Sequence, residues 1–189
     1  MKRTTLLILL FTAFSIYAQE KFTTNTATVN FEASVPLFEE IKAVNRSAVI
    51  VLEPKTSTFI CTVIIKDFRF KLDLMQEHFN TNYLESERYP KAVFKGKIAK
   101  FDLKDIDNIE KEYIIKGRLT VHGKSREIEV KALLKKVNEG IQIHSDFPIL
   151  VSDFDISIPK KIGSKVSSTA NTGLTGVIRS DEMALLTLK

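Results

Sequence analysis

Three histidines and one cysteine carry the most versatile chemistry in this chain, so their positions decide which catalytic or metal-binding functions are open to it. His78 lies on a predicted helix, His122 at a predicted turn, and His144 on the polar face of a predicted strand. No two of them have the spacing of metal ligands on one element, and neither H-E-x-x-H nor C-x-x-C occurs. We interpret the three as ordinary solvated histidines, with His78 hydrogen-bonding a loop at one end of the fold, and we expect no metal site.

The sequence also lacks the pattern of a nucleophilic hydrolase. No G-x-S-x-G motif occurs, and Ser152-Asp153 beside Phe154 is better interpreted as the start of a strand. Cys61 lies on an apolar stripe, where a cysteine is a small inert core residue, because a reactive thiol needs an electropositive and accessible setting. The sequence therefore predicts no catalytic residue and no cofactor, and it favours binding over catalysis.

The net charge of +5 comes with lysines that alternate with apolar neighbours, as on the solvated outer face of strands. The clusters are Lys95, Lys97 and Lys100; Lys131, Lys135 and Lys136; and Lys160, Lys161 and Lys165. Lysines near anionic headgroups contribute about 1 kcal/mol each, which allows transient contact with a membrane surface. Since the chain carries an export signal, described next, we expect no nucleic-acid partner.

The first residues have the composition of a secretory signal peptide. Lys2 and Arg3 precede an apolar run from Leu6 to Ile16, and Ala18 offers a small residue for cleavage. The run is shorter than the roughly 20 residues that span a bilayer. We therefore predict a signal peptide over residues 1–18, a single domain over 19–189, and a periplasmic or secreted location. With one cysteine, that domain has no internal disulfide.

Most of the remaining sequence alternates with a period of two, which is typical of strands with one buried face. The apolar positions fall in stripes at Ala27–Ala33, Phe59–Ile65, Ile128–Leu134, Ile141–Phe147, Phe154–Ile158, Leu174–Ile178 and Met183–Leu188. With the hairpin described next, these stripes predict a mainly β fold of about eight antiparallel strands. Eight strands can close into a barrel that holds either its own side chains or one small ligand.

One hairpin can be predicted with its register. If His122-Gly123 is a two-residue loop, Val121 pairs with Lys124 and Leu119 with Arg126, and the apolar residues of both strands share one face. In the same register Gly117 lies opposite Ile128, which leaves room for a close approach of backbones at a barrel corner.

One segment has helical rather than strand periodicity. Leu72, Met75, Phe79 and Tyr83 share a stripe, while Pro90 forbids a helix beyond Tyr89 and favours extended backbone there. We predict one main helix over Leu72–Leu84 that closes or gates one end of the barrel. The run from Pro159 to Ser168 allows a second short helix, because proline is tolerated in a first turn.

These motifs resemble those of the YceI-like, lipocalin-like family. The resemblance rests on the residues of the helix-to-strand junction, the Gly117–Ile128 hairpin, and a weaker match over Phe147–Ile156 that ends in Ser152–Ile156. The junction residues are His78, Phe79, Leu84, Ser86, Tyr89, Pro90, Ala92 and Phe94. The resemblance implies an exported lipocalin-like barrel that binds a polyisoprenoid chain or isoprenoid quinone tail in an apolar tunnel, with no catalytic group.

The resemblance and the stripes together nominate fourteen residues that would contact such a ligand, with Ile128 as a further inward-facing position. They are Phe31, Val63, Ile65, Phe68, Met75, Phe79, Tyr83, Phe94, Ile98, Ile115, Leu119, Val130, Phe147 and Phe154. Two alternatives stay open: a barrel filled by its own side chains that assists assembly of another envelope protein, and an enzyme acting on a lipid with His78 or Asp153 as acid or base.

Overall fold

The computed structural model describes residues 21–180, which contain nine antiparallel strands and one helix joined by 3-10 turns and loops. The strands are β1 Phe22–Ser34, β2 Lys42–Glu53, β3 Thr58–Ile64, β4 Arg69–Phe70, β5 Lys91–Ile98, β6 Lys111–Val121, β7 Lys124–Val137, β8 Gly140–Leu150 and β9 Val166–Ser180. The helix α1 spans Asp73–His78 and continues as a π-helical segment over Phe79–Tyr83. The predicted signal peptide and the predicted strand Met183–Leu188 lie outside the described residues.

Eight of the strands close into a barrel. Their order is β1-β9-β8-β7-β6-β5-β3-β2, and β1 pairs with β2 to complete the circle. The two-residue strand β4 extends the β2 edge through the pair Ala43 and Phe70. The predicted fold, a mainly β lipocalin-like barrel with one main helix, is confirmed.

The predicted hairpin has the expected register at every pair. Val121 pairs with Lys124, Leu119 with Arg126, and Gly117 with Ile128. The two loop residues have positive φ angles, 49° at His122 and 73° at Gly123, as a type I′ turn requires. The turn thus twists with the strands and fixes which side chains of β6 and β7 point inward.

Two glycines allow β5 and β6 to approach closely. Gly96 pairs with Gly117, and a Cβ built on Gly117 would lie 2.3 Å from the Cα of Gly96 and 2.3 Å from the carbonyl oxygen of Lys95. Because these neighbours are backbone atoms, a side chain at position 117 would force the two strands apart.

We expect Gly117→Ala to lower the free energy of unfolding by about 1–3 kcal/mol, the typical cost of overpacking. Gly163→Ala is the matched control, because its added Cβ would meet no heavy atom nearer than 3.6 Å. Urea denaturation of both variants measures the difference. Equal stability of the two variants would show that the strand pair tolerates a side chain.

The two ends of the barrel differ. The closed end is filled by buried apolar side chains, namely Phe22, Leu52, Ile98, Ile106, Leu134, Ile141 and Ile178. The opposite end, here called the open end, carries four connections: residues 35–41, 65–90, 122–123 and 151–165. Helix α1 belongs to the second of these, so any site inside the barrel is entered past it.

Three sequence-based predictions of elements were wrong or incomplete. Phe154–Ile158 is not a strand, because Val151–Phe154 forms a 3-10 turn followed by irregular chain. Pro159–Ser168 is not a helix: residues 160–165 form consecutive turns, and Val166 already begins β9. Strand β2 was missed, since its inward side chains include the polar Asn45, and its pairing with β1 has register shifts that break strict alternation.

Candidate functional site

The interior of the barrel contains a cavity of about 540 Å³ that extends from the open end toward the middle of the strands. This volume is within the range of about 300–1,000 Å³ in which protein pockets bury most of a drug-sized ligand. Most of the lining is aliphatic or aromatic. Its polar members are Glu39, His78, Tyr83, Ser145, Lys165, Ser167 and Thr172, together with the thiol of Cys61.

The deep part of the cavity is walled by inward-facing residues of six strands. They are Phe59, Cys61, Phe94, Ile115, Leu119, Val130, Ile143 and Leu174. Ser145 is the buried polar exception, and its hydroxyl donates to the carbonyl oxygen of Lys131 at 2.6 Å. With that bond made, the wall offers a ligand mainly dispersion contacts and a surface that water hydrates poorly.

Cys61 illustrates how apolar this wall is. Burial raises the pKa of its thiol to about 12, because the surroundings provide no charge that would stabilise a thiolate. The structure agrees with the interpretation of Cys61 as an unreactive part of the wall.

A cluster of four phenylalanine rings joins α1 to the barrel. Phe79, at the start of the π-helical segment, stacks on Phe31 of β1 with 5.5 Å between ring centroids. Phe68 and Phe70 contact the same ring at 5.6 and 5.0 Å.

Met75 and Tyr83, from the same helical stripe, also line the cavity, whereas Leu72 precedes the helix and is exposed. The predicted stripe is therefore correct for three of its four members.

His122 ties together three of the segments at the open end. Its Nε2 lies 2.8 Å from the Glu85 carboxylate, and its Nδ1 lies 3.0 Å from the carbonyl oxygen of Phe154. The Tyr89 ring packs edge-on against the imidazole at 4.7 Å. Only 12% of the His122 side chain is exposed, so the prediction of a solvated histidine was wrong at this position.

Beside this contact, Lys124 forms an ion pair with Asp155 at 2.8 Å and holds the pKa of that carboxyl below its ordinary value. The hairpin tip is thus bound both to the segment after α1 and to the turn after β8. These contacts restrain the chain that flanks the entrance.

We expect His122→Asn to lower the free energy of unfolding by about 1–3 kcal/mol, because it leaves the partners of the imidazole without their bonds. Asparagine tolerates the positive φ of this position, so the turn itself is kept. Thermal unfolding measures the loss, and amide exchange at Glu85–Tyr89 should become faster. His144→Asn is the control, since that side chain is 40% exposed. Equal unfolding temperatures of the two variants would contradict a role in bracing the entrance.

Twelve of the fourteen nominated residues line the cavity: Phe31, Val63, Ile65, Phe68, Met75, Phe79, Tyr83, Phe94, Ile115, Leu119, Val130 and Phe147. Their contact with a ligand stays a prediction. Two do not line it. Ile98 is at the end of β5 nearest the closed end, and Phe154 is buried above the hairpin in the 3-10 turn. Ile128, the further position, is half-buried against the core.

Sequence reasoning also missed part of the lining. Ile143 and Leu174 are on predicted strand stripes, so strict use of the two-residue period would have found them. Phe38 comes from a loop and Phe70 from the two-residue strand β4, where no periodicity signals which way a side chain points. Ile156 was assigned to a strand stripe, but it lies in irregular chain.

The acid–base candidates do not form a catalytic arrangement. His78 is an exposed residue at the cavity rim, and Asp153 is exposed in the 3-10 turn and does not line the cavity. Within residues 21–180, no group of three or more histidine, cysteine or carboxylate side chains is placed to hold a metal ion. In the same range, no helix is long and apolar enough to cross a bilayer.

Comparisons with known proteins agree with this geometry. The profile of the YceI-like domain family matches residues 17–173. Among solved structures, BcnA of Burkholderia cenocepacia is 18% identical, with a TM-score of 0.64 over 79% of this chain and 94% of that one. A polyisoprenoid binding domain from Saccharophagus degradans, implicated in plant cell wall breakdown, is 11% identical, with a TM-score of 0.70 over 85% and 98%.

A YceI protein of Campylobacter jejuni is 21% identical, with a TM-score of 0.52 over 71% of this chain and 80% of that one. At these identities the structural likeness establishes the fold. A search of curated protein sequences gave no match.

Proposed function

This chain belongs to the YceI-like family, and on that premise we propose that it is an exported protein that sequesters or carries an isoprenoid-type lipid, a polyisoprenoid or a quinone tail, inside its barrel. The observation that carries the proposal is the apolar cavity, which is sealed at one end by the protein's own side chains and reached from the other past α1.

The shape and chemistry of the cavity suit a hydrocarbon chain. Every methyl or methylene group of a ligand that this aliphatic and aromatic wall removes from water makes the binding free energy more favourable. No fixed pattern of hydrogen bonds is needed. The polar residues Glu39, His78 and Lys165 are exposed and line the open end. A ligand would therefore enter tail first and leave its polar head near these side chains.

The expected affinity follows from the size of the tail. Larger ligands realise about 0.3 kcal/mol per heavy atom, so twenty buried carbons give about 6 kcal/mol and a dissociation constant in the tens of micromolar. Such binding needs no catalytic group. The proposed role is therefore carriage or sequestration rather than turnover. The polyisoprenoid binding domain of Saccharophagus degradans, which shares the fold, supports the ligand class.

A competition series tests this function. An environment-sensitive apolar dye bound to the protein is displaced by isoprenoid alcohols of two, three and four isoprene units. Each added unit buries five carbons, so affinity should rise by about tenfold per unit until the cavity is filled. Affinity that does not change with chain length, or straight-chain alcohols of equal carbon number that bind far better, would contradict the proposal.

Export is part of the same proposal and is supported by the charged and apolar pattern of residues 2–18. Sequencing of the protein recovered from outside the cytoplasm should give Gln19 as its first residue. A first residue of Met1 on that material would contradict cleavage.

A further inference from the structure

Exposed apolar side chains are concentrated around the cavity entrance. Among the described residues, seven large apolar side chains are strongly exposed, and five of them lie at the open end: Leu37, Phe38, Leu72, Leu74 and Leu150. Leu37 and Phe38 occupy the β1–β2 loop, and Leu72 and Leu74 lie at the start of α1. We call these four residues the apolar rim. Exposed apolar groups gathered in one place mark an interaction surface more often than scattered ones do.

Leu37 is held in an unusual backbone conformation. Its φ angle is 72° and its side chain is fully exposed, at 102% of the reference area. A left-handed conformation is unfavourable for a bulky residue, and a turn would normally place glycine or asparagine there. The loop therefore carries a backbone cost and, in return, presents a leucine to its surroundings.

Basic side chains flank the apolar rim. Lys165 lies 5.9 Å from the Phe38 ring centroid, and Lys160 and Lys161 precede it on the same exposed turn. Lys71 directly precedes Leu72, and Lys42 neutralises Glu40 through an ion pair at 2.9 Å. On residues 35–41, 71–78 and 160–165 these four lysines stand against Glu39, Asp73 and Glu77, while Glu40 is paired with Lys42. The small positive excess favours a negatively charged partner.

We propose that the apolar rim and its lysines dock the open end of the barrel onto an anionic lipid bilayer. The rim residues enter the headgroup–acyl boundary, and Lys71, Lys160, Lys161 and Lys165 contact the anionic headgroups. The inference builds on the proposed lipid carriage: a cavity whose entrance faces the bilayer can take up a hydrocarbon tail without exposing it to water.

The test uses the full protein and vesicles of phosphatidylcholine with a third of phosphatidylglycerol, followed by sedimentation. The double variant Leu37→Asn, Leu74→Gln removes two rim side chains that do not line the cavity. Asparagine suits the positive φ, so the fold is kept. Loss of two inserted leucines should weaken vesicle binding by about tenfold or more. Ile109→Gln is the matched control, because Ile109 is 68% exposed but lies in a loop at the closed end. It should bind vesicles as the wild type does.

The charged half of the surface is tested separately. Lys160→Glu with Lys161→Glu should weaken binding to the anionic vesicles by about fivefold per lysine or more, with little effect on pure phosphatidylcholine. The inference is overturned if the double variant Leu37→Asn, Leu74→Gln binds vesicles as tightly as the wild type. It is also overturned if Ile109→Gln weakens vesicle binding as much as the double variant does.

Dye displacement in solution separates this inference from the proposed function. All these variants should bind isoprenoid alcohols as the wild type does, because none of them changes the cavity wall. If vesicle binding depends on the apolar rim but isoprenoid alcohols displace no dye from the protein, the proposed function is refuted and the docking surface is retained. If the wild type binds isoprenoid alcohols but does not bind vesicles, the docking surface is refuted and the proposed function is retained.

Discussion

Cys61→Phe should weaken isoprenoid binding by about 20-fold while leaving the fold intact. Cys61 is on an inward position of β3 between Phe59 and Val63, so an aromatic ring placed there projects into the cavity. The ring displaces about six ligand carbons, and at about 0.3 kcal/mol each this costs about 1.8 kcal/mol of binding free energy. The cavity itself provides room for the ring, so the variant should avoid most of the cost of overpacking a filled core. Dye competition with the four-unit alcohol measures the loss.

The matched control is Thr62→Phe, which introduces the same side chain one residue along the same strand but on its outer face. This variant should bind the alcohol as the wild type does. If both variants bind equally well, the ligand does not occupy the barrel. If Cys61→Phe unfolds the protein, the space around β3 is filled, and the alternative of a packed, non-carrying barrel is supported.

Phe79→Ala should lower the free energy of unfolding by about 3–5 kcal/mol, the usual cost of removing a buried aromatic side chain. Phe79 is the only residue of α1 and its π-helical extension whose ring contacts Phe31, Phe68 and Phe70 together. An eleven-residue helical segment has little stability of its own, so its position depends on this packing. For a domain of this size the unfolding temperature should fall by about 10 °C.

Leu74→Ala is the control for Phe79→Ala, because Leu74 lies on the same helix with 61% of its surface exposed. Its stability should stay within about 0.5 kcal/mol of the wild type. A bound alcohol should also dissociate faster from Phe79→Ala than from Leu74→Ala, since α1 flanks the entrance. Equal dissociation rates would show that α1 braces the barrel without gating it.

The parts of the fold that sequence could predict are those in which one local rule decides the outcome. A two-residue loop that contains glycine and is flanked by alternating strands favours one register. The residue pairs formed in that register, from Val121 with Lys124 to Ile115 with Val130. No helix continues to Pro90, as expected, but the helical segment already ends at Tyr83, before Glu85 takes a left-handed φ of 41°. The stripe of Met75, Phe79 and Tyr83 lines the cavity, as its spacing indicated.

The parts that sequence could not predict depend on tertiary context. Asn45 on β2 can be fully buried because its amide donates to the carbonyl oxygen of Ile64 and its side-chain oxygen accepts from the backbone N–H of Ser47. The sequence alone does not indicate that these partners are present. His122 is enclosed by Glu85 and Phe154, which are 37 and 32 residues away. Alternation identified the inward face of the strands, but whether those side chains meet across the axis or leave a cavity depends on barrel geometry.

Native mass spectrometry of the protein, purified from its producing cells without detergent or solvent, tests the central claim most directly. The account predicts a noncovalent apolar adduct with an isoprenoid tail, removed by solvent extraction and strongly reduced in Cys61→Phe but not in Thr62→Phe. A wild-type protein that carries only its own mass, and still takes up no isoprenoid when supplied with one, would contradict a lipid-carrying barrel.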